Sequence, residues 1–433
     1  MYYVVGHPIK NPADFYGRFS QVTRFFEIVA GQQTQSASVL GLRRAGKTSF
    51  LHYVANPAVL ARHIAKPDRY VLIYLDMSFI RSPAEFYQRL LNRLQAALGV
   101  QVSNGRNGAA SPKAGMYDVE ALLSRYPEKR FVLLLDEFDQ LQAGEFDQSF
   151  LVELRALCGG LEYELACVTA SFWDLYRLGT TLGLPPTSPF YNIFYPTPFY
   201  LAGFDTADAE ALIRTPAARA GIPLHDEEVM AIWRLAGSLP FFLQATAARW
   251  LEEKKRTTAL PDAAEMESQL VSVLAPYFAQ WRRHLNPLEW DVLMRVAGVT
   301  ADPGDLSRAS FEAQEALRRL SAYGLITQNG GVTAVNGALF AAWLHRQTAT
   351  PSAEFAPVTE APKMDPAALR QALVDHFNLE ELRTLCFDLD VDFDRLPGQG
   401  KDAKARDLVI YWQNRNGLAR LVAAVRLARG PVI

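Results

Sequence analysis

The chain has 433 residues, too many for one ordinary core, and implies about two to four domains. Hydrophobic residues make up 49% and charged residues 21%, the balance of a globular protein, and a formal net charge of -2 excludes a chain that coats nucleic acid through a basic surface. No apolar run reaches membrane-spanning length and the N-terminal stretch has no signal-peptide pattern. The scattered Cys158, Cys167 and Cys386 have neither disulfide nor zinc spacing, so they are expected to be core thiols of a cytoplasmic protein.

The first two hundred residues alternate strand-like and helix-like segments. Ser38-Val39-Leu40 leads into Gly41-Leu42-Arg43-Arg44-Ala45-Gly46-Lys47-Thr48-Ser49, which fits G-x-x-x-x-G-K-[ST] without a gap. Glycines at both ends let the backbone approach phosphates, and the helix starting near Lys47 would turn its positive end toward them. In this pattern Lys47 reaches the β- and γ-phosphates and the Thr48 hydroxyl holds Mg²⁺. Runs 70–75, 131–135 and 165–168 are continuous apolar strands, which predicts a parallel sheet covered on both faces; 101–115 reads as a flexible insertion.

The strand Phe131–Leu135 ends in Asp136-Glu137-Phe138-Asp139. A carboxylate at the end of a buried strand needs a cation, which places Asp136 in the Mg²⁺ shell. Glu137 is positioned to polarise an attacking water, while Asp139 is either an acid supporting the site or, the favoured reading, solvated. Thr169 and Ser171, at the end of the next strand, are either γ-phosphate sensors or a polar strand end. Asp76 either helps the site or caps its loop.

After residue 205 the pattern turns helical, beginning with the capping run Asp205-Thr206-Ala207-Asp208 and continuing through 226–236 and 240–255. Helix-like 288–296 and 311–323 precede two apolar runs joined by Asn329-Gly330-Gly331, a hairpin signal. Helices followed by a hairpin describe a winged helix. A Pro- and Thr-rich linker, 348–363, leads to a helical tail with helices near 366–377, 379–389, 401–414 and 417–428.

Three stretches carry a resemblance. Asn11-Pro12-Ala13-Asp14-Phe15-Tyr16-Gly17-Arg18, Ser188-Pro189-Phe190-Tyr191-Asn192 and Gly237-Ser238-Leu239-Pro240-Phe241-Phe242 resemble the prokaryotic STAND class, signal-transduction ATPases with numerous domains. The resemblance implies that Phe15, Tyr16, Gly17 and Arg18 pack beside adenine, that Pro240 closes over the nucleotide, and that the winged helix locks the resting form. The acidic residue usual after Gly-Arg is replaced by Phe19 and Ser20. No arginine finger is identified; Arg155 and Arg177 read as solvated. The tail, from Phe377-Asn378-Leu379-Glu380-Glu381-Leu382 through Leu396-Pro397-Gly398, resembles bacterial effector-associated domains of death-like fold.

The expected architecture is multidomain: an α/β P-loop NTPase at 1–204, a helical lid at 205–275, a winged helix at 276–347, the linker, and an all-α death-like bundle at 364–433. Asp388, Asp390, Asp392 and Asp394 form an acidic ridge, and Lys401, Lys404 and Arg406 a basic one. These are either head-to-tail contacts between modules or two solvated faces. The function expected is an ATP-binding switch with Mg²⁺ and ADP or ATP as ligands, a slow ATPase with Glu137 and Lys47 as catalytic residues. Activation would assemble a homo-oligomer that recruits an effector bearing a similar domain, in prokaryotic defence or stress signalling. No membrane or nucleic-acid partner is expected. The alternatives are a DNA-binding regulator working through helix 311–323 and a plain ATPase.

Overall fold

The computed structural model describes residues 2–100, 114–194, 198–257, 260–299, 310–329, 332–349, 366–389, 391, 393, 396, 398–413, 418, 421, 422 and 425. The expected insertion at 101–115, the linker at 348–363 and the last tail helix at 417–428 lie mostly outside them. Contacts divide the chain into two compact units, Met1–Ala349 and Thr350–Ile433.

The first unit begins with α1 (Phe19–Val29), β1 (Ala37–Leu40), α2 (Lys47–Val54), α3 (Pro57–His63), β2 (Tyr70–Asp76), α4 (Pro83–Leu98) and α5 (Met116–Leu123). It continues with β3 (Arg130–Asp136), α6 (Gln148–Cys158), β4 (Glu164–Ser171), α7 (Leu175–Thr181) and β5 (Phe199–Tyr200). The five strands form one parallel sheet in the order β2-β3-β4-β1-β5. All four expected strands are present. They are apolar throughout because both faces are covered: Val39, Val132, Leu134 and Val168 join one core, Leu133, Leu135 and Cys167 the other. Register sets Asp76 beside Asp136 and Leu40 beside both Ser171 and Tyr200. The polar residues therefore line up along the carboxyl edge of the sheet, where α/β folds hold their ligands.

Next come α8 (Thr206–Arg219), α9 (Asp226–Ala236), α10 (Pro240–Thr257), α11 (Ala263–His284), α12 (Pro287–Val296), α13 (Phe311–Ala322), the antiparallel hairpin β6 (Ile326–Asn329) and β7 (Val332–Val335), and α14 (Ala338–Ala349). The Asp205 carboxylate accepts from the Asp208 N–H and starts α8, as its capping run predicts. One helix, α11, runs through the subdivision expected at 275/276, with Pro276 inside it. The helices and the sheet share one core, and an aromatic cluster of Phe242, Phe278, Trp281, Phe340 and Trp343 joins α10, α11 and α14.

Glycines make one close junction in this unit. A Cβ on Gly324 would lie 2.8 Å from the Gly203 nitrogen, and a Cβ on Gly337 2.6 Å from the Gly237 nitrogen. All but Gly203 have positive φ, so both space and backbone select glycine there. The side chain of Asn336 sits in the junction. Its amide donates to Ser238 Oγ (2.8 Å) and the Gly324 carbonyl (2.6 Å), and its oxygen accepts from the Ser238 N–H (3.0 Å).

The second unit contains α15 (Pro366–His376), α16 (Leu379–Asp388) and α17 (Lys401–Gln413), packed through Leu369, Leu373, Leu382, Leu385, Leu408 and Trp412. Asp390, Asp392 and Asp394 lie outside the described residues, as does the side chain of Asp388. The expected basic ridge is interrupted. Lys404 turns inward, donating to the Phe393 and Leu396 carbonyls at 2.7 Å each and lying over the Phe393 ring. Buried Asp407 accepts from the Gly398 N–H (2.6 Å) and pairs with exposed Arg406 (3.1 Å). The break in the middle of the tail is thus closed by two charged side chains from α17.

Candidate nucleotide site

The chain leaves β1 at Leu40, turns through Gly41–Gly46 and enters α2 at Lys47. Gly46 is the N-cap with φ 94°, and Arg44 also adopts a positive φ of 71°. Lys47 is buried, and its ammonium returns to the loop's own carbonyls, Gly41 at 3.0 Å and Leu42 at 3.2 Å. A cation buried beneath a turn of open N–H groups at a helix start is a setting for phosphate oxygens. Ser49 serves structure, its hydroxyl accepting the Ile9 N–H at 3.0 Å.

Asp136 ends β3 and is buried. Its carboxylate accepts from the Tyr74 hydroxyl (2.9 Å) and the Glu137 N–H (3.0 Å), and hydrogen-bonds the Thr48 hydroxyl. Burial, and then the neighbouring Glu137, push its pKa up to about 6, against the pull of Thr48 and Lys47. Thr48 and Asp136 are therefore side by side, as expected for metal ligands. Among the described residues no three metal-ligating side chains cluster. One carboxylate and one hydroxyl, with phosphates and water, are enough to hold Mg²⁺. Bound there, Mg²⁺ would neutralise phosphate charge. Glu137 has φ 49°, a strained value for a side-chain-bearing residue, at the turn following the strand.

Asp139 goes against the favoured, solvated one of its two sequence readings. The turn Phe138–Ala143 folds it back beneath the site, leaving 4% of the residue exposed and one carboxylate oxygen without a partner. Burial and Glu137 raise its pKa, while Lys47 and Arg43 oppose the rise. A buried, half-satisfied carboxylate beside Lys47 fits a site completed by a cation. Asp76, in contrast, caps its own loop, accepting from the Ser78 N–H (2.9 Å) and hydroxyl (2.6 Å). Thr169 is fully buried with an unpartnered hydroxyl, and Ser171 donates to the Trp173 carbonyl (2.7 Å).

The N-terminal segment reaches the loop through Arg18. Its guanidinium donates to the Ala45 carbonyl at 3.1 Å and to the Ala202 carbonyl, and lies 4.8 Å from the Phe204 ring. Burial lowers its pKa to about 10, against the attraction of Asp208. Phe15 stacks on Tyr53 of α2 at 4.1 Å, and the buried Tyr16 hydroxyl has no partner. Gly17, φ 66°, is pressed against the Asp208 carboxylate.

A roof over the loop comes from α10 and α11, of which the sequence reading named only Pro240. Pro240 approaches Gly46, its Cγ 3.9 Å from where a Cβ would stand. The Arg44 guanidinium lies 5.0 Å from the Phe241 ring and 5.3 Å from the Tyr277 ring, and donates to the Gly6 carbonyl (2.9 Å). The Trp281 indole donates to the Arg43 carbonyl at 3.3 Å. The only hint in the sequence was the Gly-Ser-Leu-Pro stretch; the aromatic residues read as core. Of the two arginines considered as fingers, Arg155 is exposed on α6, and Arg177 lies over Trp173 (4.2 Å) and donates to the His284 carbonyl (2.9 Å).

Comparison with known proteins bears on the fold. A Walker-type ATPase of Pyrococcus abyssi, paby2304, shares the fold at a TM-score of 0.54 with 15% identity, over 79% of this chain and 99% of that one. Aeropyrum pernix ORC2 is more remote, at a TM-score of 0.41 and 12% identity over 76% of this chain and 93% of its own. Among curated proteins no sequence matches. A model of effector-associated domain 7 matches residues 369–429. With the model of Novel STAND NTPase 2 matching 24–285, well over half its length, the chain belongs to that family of STAND NTPases and ends in an effector-associated domain.

Proposed function

We infer that this chain is an ATP- and Mg²⁺-dependent signalling switch. Activated copies assemble, and their C-terminal domains recruit an effector carrying a similar domain, in prokaryotic defence or stress signalling. The observation that carries this reading is the roof: Arg43, Arg44 and Gly46 of the phosphate loop are touched by Trp281, Tyr277, Phe241 and Pro240 of the helical region. Two residues before Pro240, Ser238 is held by Asn336 at the end of the hairpin. Any ligand that moves the loop also pushes on the helices and hairpin packed over it, as a switch requires. Those helices and the hairpin are read as the lid and winged helix.

In slow hydrolysis, Lys47 and the loop N–H groups would hold the phosphates, and Glu137 would orient and deprotonate water. The buried Asp136 and Asp139 carboxylates fix the charge balance behind them. Among the described residues no helix is long and apolar enough to cross a membrane. The DNA-binding alternative finds little support. On α13, Arg318 pairs with Glu315 (3.2 Å) and Arg319 with Glu289 (3.6 Å) and Glu315 (3.5 Å), leaving little net positive charge for phosphates.

The test identifies nucleotide released on denaturing freshly purified full-length protein, and records molar mass with and without ATP–Mg²⁺. Co-purifying adenine nucleotide and ATP-driven assembly that Lys47→Ala abolishes are the expected results. Constant mass with fast turnover would make the protein an ordinary ATPase. Failure of the full chain to bind a protein bearing a matching tail would remove the recruitment half.

A further inference from the structure

Two ring nitrogens near the phosphate loop have no role in the site as described. The Nε1 of Trp173 and the Nδ1 of His284 are both buried without a hydrogen-bond partner. Trp173 follows β4 by two residues, and His284 ends α11. Their rings meet edge to face at 5.9 Å, and Phe172 lies against the imidazole at 4.4 Å. An indole N–H is a donor only, and leaving it buried and unmade is costly.

Their placement is tied to the loop. Trp281 stands one helical turn before His284 and donates to the Arg43 carbonyl at 3.3 Å, so α11 presents His284 on the side facing the phosphate loop. Arg177 holds the end of the helix through the His284 carbonyl (2.9 Å) and covers the Trp173 ring (4.2 Å). The charges that act most strongly on the imidazole are Arg43, Arg177, Lys47 and Arg283, all cations, which together with burial hold it neutral in the protein alone. An indole donor and an imidazole nitrogen that donates in its Nδ1-protonated form, both unpartnered among these cations, describe a place prepared for an anion.

We propose that Trp173 and His284 bind the terminal phosphate of ATP, so that the chain distinguishes ATP from ADP through these two rings. This rests on the nucleotide-switch reading above and names the residues by which the switch reads its ligand. The Ser171 hydroxyl at the end of β4 is engaged with the Trp173 carbonyl (2.7 Å), so it positions the indole rather than reading the phosphate itself. Because His284 terminates α11, the contact would register directly at the junction between the helical region and the segment that follows.

The experiment is calorimetric titration of nucleotide-stripped full-length protein with the slowly hydrolysed analogue AMP-PNP and with ADP, each with Mg²⁺. In the wild type both bind; Lys47→Ala weakens both. His284→Leu and Trp173→Phe should each weaken AMP-PNP by about tenfold or more relative to ADP, the size of a lost hydrogen bond to a charged group. His284→Asn, whose amide nitrogen stands near the position of Nδ1, should restore most of the ratio, which a purely structural role would not produce. Trp173→Phe keeps the ring and guards against simple misfolding of the leucine variant. An unchanged AMP-PNP to ADP ratio in both ring variants, or an asparagine variant as impaired as the leucine one, overturns the inference. Wild-type protein that binds neither nucleotide would instead overturn the switch reading.

Discussion

Two lysines, one in each compact unit, make nearly the same contact for different ends. At the phosphate loop the Lys47 ammonium donates to two carbonyls of its own loop, Gly41 and Leu42. In the C-terminal bundle the Lys404 ammonium donates to two carbonyls across the break between α16 and α17, Phe393 and Leu396. What separates them is the surroundings. Lys47 sits beside buried carboxylates whose pKa values are raised, Asp136 and Asp139, and under a turn built on Gly46. Its carbonyl contacts can be exchanged for phosphate oxygens. Lys404 is flanked by Asp407, which ties Gly398, and by the Phe393 ring, so its contacts close the chain on itself. A lysine in a charge run is therefore no guide to whether it meets a ligand, a partner or its own backbone.

The largest effect that would break this comparison lies at Lys47. Lys47→Ala should weaken ATP–Mg²⁺ binding at least about a hundredfold, roughly 3 kcal/mol, as expected for loss of a charge-assisted contact in a buried site. Titration by calorimetry measures it. In the absence of nucleotide, the same variant should lose about 2 kcal/mol of unfolding free energy, because two charge-assisted contacts to the loop carbonyls go. If instead it unfolds without affecting affinity in what remains folded, Lys47 is structural like Lys404.

Next is Asn336, the connection between the loop's roof and the hairpin. Asn336→Ala leaves the Ser238 N–H, Ser238 hydroxyl and Gly324 carbonyl without this buried partner and should cost about 2–3 kcal/mol of stability. If the junction transmits nucleotide state, the variant should also release its nucleotide faster than wild type in a stopped-flow chase. Lost stability with unchanged release would mark it as packing alone.

Lys404→Met should come third, at about 2 kcal/mol, seen as faster hydrogen exchange confined to tail peptides of the full chain. Lys401→Met, at the first residue of α17 with no such bonds to the carbonyls across the break, should change exchange very little. Equal effects of the two would return Lys404 to the surface ridge expected from sequence.

How much was legible in advance follows the range over which residues act. The loop Gly41–Ser49 and the pair Asp136–Glu137 are contiguous, so residue type and spacing sufficed. Beyond Pro240 the roof was not legible, because Trp281 reaches the Arg43 carbonyl across 238 positions and an aromatic residue on an apolar helix face reads as core. Of the two readings of Asp139 the wrong one was favoured, for a local reason: an acid just past a strand reads as solvated until the left-handed turn at Glu137 bends it back. In the tail, Lys404 looked like surface charge, since nothing in its spacing from Phe393 and Leu396 reveals a hydrogen bond across the break.

The smallest predicted effect is a pH dependence at His284, and it sharpens the comparison by asking whether a cationic site is empty of its own counter-charge. Burial, then Arg43, Arg177, Lys47 and Arg283, lower the imidazole pKa from 6.5 to about 4, with the Phe172 and Trp173 rings as its other neighbours. A depressed folded-state pKa means the unfolded chain binds the proton more readily. Stability is then intact above pH 6.5, and is lost as pH falls toward 4, by no more than about 2 kcal/mol at pH 5. Asp136 and Asp139 act in the opposite sense, since their raised values make protonation favourable to the fold. The wild-type profile alone therefore mixes both signs. The difference in unfolding free energy between wild type and His284→Gln, followed from pH 7.5 to 5, isolates the histidine, because the carboxylates cancel in the subtraction. Wild type should lose ground to the variant as pH falls. Adding AMP-PNP–Mg²⁺ should shrink that loss, since an anion beside the imidazole raises its pKa. A flat difference in both conditions would place His284 in ordinary solvent and leave the cations around the loop without the opening for a phosphate.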